Sequence, residues 1–123
     1  MKTKIFCDIA DFETIKLFNK KKIVDGFTTN PSLMRLAGAK NYRDYCLKIL
    51  KICKAKPISF EVFADEPKEM LRQAIIINKW GKNVYVKIPV VNSKGKFMGS
   101  LIRELSSKNI KLNITAIYSF EQV

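Results

Sequence analysis

The sequence contains no histidine, one tryptophan, three cysteines and five glycines in 123 residues. Without histidine there is no Ser-His or Cys-His nucleophile pair, no imidazole metal ligand and no imidazole general base. Cys7, Cys46 and Cys53 are odd in number and show no CxxC spacing, which argues against both a disulfide framework and a zinc site. Cys46 and Cys53 lie seven apart in a helical pattern, on one face, where they are expected to pack as core. The few glycines form neither a GxGxxG turn nor a Walker loop, so no glycine-rich phosphate cradle is present. No stretch approaches the roughly 18 to 20 apolar residues of a membrane span. The apolar run near the start is interrupted by Asp8, so no signal peptide is expected. These absences point to a soluble cytoplasmic protein with no membrane partner, no metal and no nucleotide cofactor.

Acidic residues are also scarce: 11 Asp+Glu stand against 23 Lys+Arg, a formal net charge of +12. The excess is almost wholly lysine, with 19 Lys and 4 Arg. Groove and phosphate readers favour arginine for its bidentate geometry, so the composition does not suggest a nucleic-acid partner. Most lysines fall on outer helix positions or in turns, as at Lys20 to Lys22, Lys51, Lys54, Lys56, Lys79 and Lys82. They read as solvated surface. Such a surface would also draw anionic, phosphorylated substrates toward the protein.

What remains is a globular composition, 47% hydrophobic and 28% charged, with a regular order of periods. Short apolar or β-branched runs predict strands at 4–8, 24–28, 58–64, 84–90 and 111–117. Between them, helical spacing predicts helices at 11–21, 42–54, 67–80 and 97–107, and Pro31 is placed to open a short one. Strands separated by helices of this length pair in parallel through βα crossovers. Either an open doubly wound sheet or a (β/α)8 barrel produces this order.

Polar residues at the strand ends separate the two. A parallel strand buried on both faces should be nearly all apolar, yet Asp8, Thr28, Asn30, Glu61, Lys87, Asn113 and Thr115 interrupt the pattern near the C-terminal ends. Asp8 to Asn113 spans 105 positions in four steps of about 26, near the ~31 residues per unit of a ~250-residue barrel. Side chains alternate along a strand, so Thr28 matches Asn30 in parity and Asn113 matches Thr115. In VYVKIPV, Val84, Val86 and Ile88 share one face and Tyr85 and Lys87 the other. The polar set can therefore line a barrel mouth while the other parity packs under helices.

Lys87 is the most informative of these residues. Lysine is rarely buried unless paired or functional, and desolvation favours the neutral amine, a nucleophile that can form a Schiff base with a carbonyl. The plainer alternatives are an internal ion pair of Lys87 with Asp8 or Glu61, a helix-capping role for Asp8, and a partly exposed strand end for Glu61. The segment Asn92-Ser93-Lys94-Gly95 follows on the mouth side and reads as an ordinary loop.

The segments FCDIAD, VDGFTTNPSLM, ISFEVFAD, VYVKIPV and LNITAIYS, in this order and spacing, resemble the transaldolase and fructose-6-phosphate aldolase family of class I aldolases, in particular its short bacterial members. The resemblance implies an α/β fold, a (β/α)8 TIM barrel, and a Schiff-base mechanism that needs no cofactor. It implies that Lys87 attacks a ketose carbonyl, that Asp8 takes the C4 hydroxyl proton, and that Glu61, with a water held by Thr115, relays protons. It further implies that Asn30 and Asn113 hold substrate hydroxyls with Thr28 beside them. The substrate would be a phosphorylated sugar of the pentose phosphate pathway, and the full-length protein a homo-oligomer. Glu61, where aldolase members tend to carry Gln, favours transaldolase over fructose-6-phosphate aldolase. A sugar-phosphate lyase and a non-catalytic half-barrel with a basic binding surface are the competing readings.

Ser119-Phe120-Glu121-Gln122 has the spacing of a capping box and predicts a further helix. Five strands do not close a barrel of eight, so residues 1–123 are expected to be the N-terminal part of a single barrel domain, with the later phosphate-binding Ser and Arg of the family outside it.

Overall fold

The computed structural model describes residues 2–123. The elements run β1 (Phe6–Asp8), α1 (Phe12–Asn19), β2 (Gly26–Thr28), α2 (Pro31–Leu36), α3 (Tyr42–Ile52), β3 (Ile58–Glu61), α4 (Pro67–Asn78), β4 (Val84–Pro89), α5 (Gly99–Ser107) and β5 (Leu112–Thr115). All five strands are parallel and lie in sequence order across one sheet. This is the strand order of the first five units of a TIM barrel, curled into an open half. Among the described residues β1 pairs only with β2 and β5 only with β4, so the sheet has two edges.

Local chemistry places the helices. Asp11 caps α1 by accepting from the Thr14 N–H at 2.9 Å and its hydroxyl at 2.6 Å. Asn30 caps α2 through the Leu33 N–H at 2.8 Å, with Pro31 at the first helical position where its missing N–H costs nothing. Asn41 does the same for α3 through the Asp44 N–H, and Pro67 opens α4. The inner faces of these helices meet the apolar parity of the strands. Ile58, Phe60, Val84, Val86 and Ile88 are fully buried in one cluster with Cys46, Ile49, Met70, Ala74 and Leu105.

Each predicted strand and helix is present, most of them shorter than the periodicity alone suggests. The strand predicted over 58–64 ends at Glu61: the Val62 N–H still donates to the Lys87 carbonyl, but the Phe63 and Ala64 amides turn to the Gln73 side chain at 2.8 and 3.0 Å. The strand predicted over 111–117 stops before Ala116, which lies at φ 60°, a left-handed conformation that breaks an extended run. The helix predicted from residue 97 begins at Gly99, since Met98 donates to the Val90 carbonyl and closes the loop that follows β4. The predicted helix after Ser119 is a single 3-10 turn, Phe120–Gln122, with Gln122 Oε1 accepting from the Tyr118 N–H at 2.7 Å. Of the lysines read as surface, Lys56 is instead half-buried and donates to the Lys21 carbonyl at 2.7 Å.

Gly26 on β2 marks a close approach. A Cβ there would lie 2.3 Å from the Phe6 ring and 2.7 Å from the Pro57 carbonyl. Only glycine lets β1, β2 and the entry to β3 converge at this height.

Candidate active site

The register of the sheet assembles the polar residues in rows. Asp8, Thr28 and Ser59 are successive cross-strand partners on β1, β2 and β3. Two positions further along, Glu61, Lys87 and Asn113 form the next row on β3, β4 and β5, and Thr115 pairs with Pro89 in the row beyond. Neighbouring strands in a sheet lie about 4.8 Å apart, so side chains of one row and one parity are within reach of a single small molecule. On β4 the burial alternates: Val84, Val86 and Ile88 are buried under the helices while Tyr85, Lys87 and Pro89 are half-buried on the opposite face.

Hydrogen bonds tie the rows together. Thr28 Oγ1 donates to Asp8 Oδ1 at 2.8 Å, so Asp8 faces the sheet rather than capping α1, a role that Asp11 fills. Asn113 Nδ2 donates to Ser59 Oγ at 3.0 Å. Asn30 is in extended conformation just past β2, but its Oδ1 is occupied by the α2 cap, leaving the amide nitrogen to point elsewhere. Below the Glu61 row a cavity of about 420 Å³ is lined by Phe6, Thr28, Ser59, Tyr85 and Asn113 among others.

The charged centre is not a closed ion pair. Among the described residues the side-chain ion pairs are Arg72–Glu69 and Lys94–Glu66, both on the surface. Lys87 and Asp8 nevertheless both act on Glu61. Burial, the largest influence, raises its carboxyl above the ordinary 4.5, Lys87 partly opposes this, and Asp8 adds to it. The folded chain thus holds this proton more tightly than the unfolded chain does. The associated stabilisation is complete below about pH 4.5 and is lost as the pH rises through the raised value. Glu61→Gln, which cannot ionise, is expected to gain stability relative to the parent from that pH toward neutrality. Paired urea unfolding series across this range check the expectation, and a difference that does not vary with pH would contradict it.

The family model described as Transaldolase/Fructose-6-phosphate aldolase matches residues 5–123. The chain belongs to this family. It is 41% identical over 119 residues to a probable transaldolase of Herpetosiphon aurantiacus, covering 97% of this chain and 51% of that protein. It is 37% identical to a probable transaldolase of Dehalococcoides mccartyi over 97% of this chain and 53% of the relative. A probable transaldolase of Methanococcus maripaludis is 40% identical over 121 residues, again 97% of this chain and 53% of the relative. The chain spans about half the length of the curated relatives it matches.

Within this transaldolase-family chain the sequence reading missed Ser59. Its signal was present, since in ISFE it shares parity with Glu61 and is a polar residue in an apolar strand, but only the fold shows that it is buried against Asn113. The cysteines stay outside the site. Cys46 and Cys53 are buried in the core as expected, and burial pushes the Cys53 thiol up to about 11, far from a reactive thiolate. No three His, Cys, Asp or Glu side chains converge as metal ligands among the described residues. The Asn92–Gly95 loop packs against the β3–α4 connection, where Ser93 donates through both its N–H and its hydroxyl to Asp65 at 2.7 Å.

Proposed function

We propose that residues 1–123 form the first five β/α units of one (β/α)8 domain, and that this domain transfers a dihydroxyacetone unit between sugar phosphates through a Schiff base on Lys87. One observation carries the reading: a lysine from the middle of an apolar strand stands in register with Glu61 and Asn113, with Asp8 near enough to act on the same carboxyl. The names of the relatives and the two open sheet edges support it.

In this mechanism the neutral Lys87 amine attacks the ketose carbonyl, and the resulting carbinolamine loses water to give a protonated imine. Glu61, with a water held by Thr115, relays the protons of that dehydration; a carboxyl whose affinity for its proton is raised by burial suits the task. The Asp8 carboxylate takes the C4 hydroxyl proton while the C3–C4 bond breaks. The electron pair of that bond flows into the imine and leaves an enamine on Lys87, and the aldehyde fragment departs. An acceptor aldehyde then receives the enamine carbon, and hydrolysis returns the lysine. Asn113, braced by Ser59, and the amide nitrogen of Asn30 hold substrate hydroxyls, with Thr28 orienting Asp8. The lysine-rich surface favours encounter with a phosphorylated substrate. The setting is pentose phosphate metabolism in the cytoplasm, in a homo-oligomer of the full-length protein.

Borohydride reduction of the full-length protein in the presence of fructose 6-phosphate tests the reading. One stable adduct on Lys87 is expected, with little dihydroxyacetone released unless an acceptor aldehyde is supplied. An adduct on another lysine, or none, would overturn it.

A further inference from the structure

Glu61 is the last residue of β3, and its main chain lies where the β2 ladder has run out. The Phe27 N–H donates to the Pro57 carbonyl at 2.9 Å and the Thr29 N–H to the Ser59 carbonyl at 3.1 Å. The next donor in this alternating series, opposite the Glu61 carbonyl, would be residue 31. That residue is Pro31, which has no N–H and already belongs to α2. A carbonyl left without a donor at a half-buried strand end is costly.

The tyrosine that opens α3 occupies this gap. Tyr42 Oη donates to the Glu61 carbonyl at 2.9 Å and accepts from the Glu61 N–H at 3.0 Å, so one hydroxyl supplies both the donor and the acceptor of a strand residue. The ring is held in turn, edge-on to Phe63 with centroids 4.3 Å apart and tilted against Trp80 at 6.3 Å. Burial drives the phenol far above its ordinary range, so it keeps the proton that it donates. On the other side of the strand the Val62 N–H donates to the Lys87 carbonyl at 3.3 Å, a bond independent of Tyr42.

We propose that Tyr42 is a positioning residue: its hydroxyl supplies the donor that Pro31 cannot, holds the Glu61 N–H with the same oxygen, and fixes the end of β3, and with it the Glu61 carboxyl, at the height of Lys87. The proposal rests on the reading of Lys87 and Glu61 given above. It follows from the juxtaposition of a ladder whose next donor position is a proline with a helix that begins on a tyrosine. Tyr42 touches no reacting atom; it acts through the backbone of the residue that does. A misplacement of a catalytic group by about 1 Å is enough to cost roughly 100-fold in rate.

The test compares Tyr42→Phe with Phe63→Leu in the full-length protein. The first removes only the hydroxyl, whereas the second loosens the ring packing and leaves the hydroxyl bonds in place. In Tyr42→Phe the Glu61 amide is expected to exchange its hydrogen about 10-fold faster or more, while Val62 keeps its protection. On sugar phosphate, kcat is expected to fall by roughly 10- to 100-fold with KM little changed. Phe63→Leu should stay close to the parent in both respects. Unchanged Glu61 exchange in Tyr42→Phe, exchange raised evenly along β3, or local loss of protection with kcat intact would each overturn the proposal. If the parent forms no borohydride adduct at Lys87, the reading of the active site falls. The exchange measurement then decides the clamp alone, which an even or absent change would still refute.

Discussion

Lys87→Ala is expected to abolish borohydride trapping with fructose 6-phosphate and to lower kcat by about four orders of magnitude or more, the scale on which removal of a covalent nucleophile acts. The argument starts from the strand. VYVKIP alternates buried and half-buried residues without a break, so Lys87 is delivered to the open face by the same pleat that buries Val86 and Ile88. Its neighbours in register are Glu61 and Asn113, and the raised affinity of Glu61 for its proton shows that burial outweighs the attraction of the lysine. A mere charge partner for Glu61 could be replaced by another cation. Lys87→Arg keeps the positive charge, but a guanidinium does not become a neutral nucleophile at any ordinary pH, so this variant is expected to be as inactive as Lys87→Ala. Recovery of substantial turnover in Lys87→Arg would reduce Lys87 to an electrostatic role and remove the covalent mechanism. The fold should survive both changes, because the residue is half-buried and takes part in no ion pair among the described residues.

Phe60→Ala is expected to destabilise the chain by about 3–5 kcal/mol, the cost of removing a large aromatic side chain from a packed core. Phe60 is fully buried on the helix-facing side of β3, edge-on to Trp80 with centroids 6.2 Å apart. An aromatic pair of this kind contributes about 0.5–1.5 kcal/mol beyond the buried area. Against the 5–15 kcal/mol typical of a native domain the loss is large. Equilibrium urea unfolding should show a lower midpoint at an unchanged slope. A loss below about 1 kcal/mol would mean that the site can collapse around the gap, and that β3 does not anchor the helices α3 and α4. The effect bears on function because the residue after Phe60 is Glu61, whose direction depends on the strand holding its pleat.

The fold was legible wherever the signal was local. Alternation in VYVKIPV, the apolar spacing of YRDYCLKILKICK and the prolines at positions 31 and 67 all led to elements that the structure contains. Strand ends were less legible, because they depend on whether a neighbour remains to pair. Nothing within residues 58–64 shows that Gln73 will accept from the Phe63 and Ala64 amides. Of the polar residues singled out at the strand ends, Asp8, Thr28, Glu61, Lys87, Asn113 and Thr115 take places in the ladder, in two adjacent rows and the row beyond, while Asn30 lies past the end of β2. Asn30 stood out in the sequence as a polar residue just past a strand, but its use of one amide oxygen to cap α2 was hidden in the turn that follows it.

The sequence by itself determined the succession of strands and helices, the face to which each side chain turns, and the presence of one lysine and several polar residues on the face away from the helices. These follow from backbone periods and side-chain chemistry that act over a few residues. Only the tertiary structure decided which of those groups meet. Thr28 reaches Asp8 across 20 residues of chain, Asn113 reaches Ser59 across 54, and Tyr42 reaches Glu61 across 19. Such contacts depend on the register between strands and on where a helix begins relative to a strand that has just ended, and both are settled by packing between distant segments.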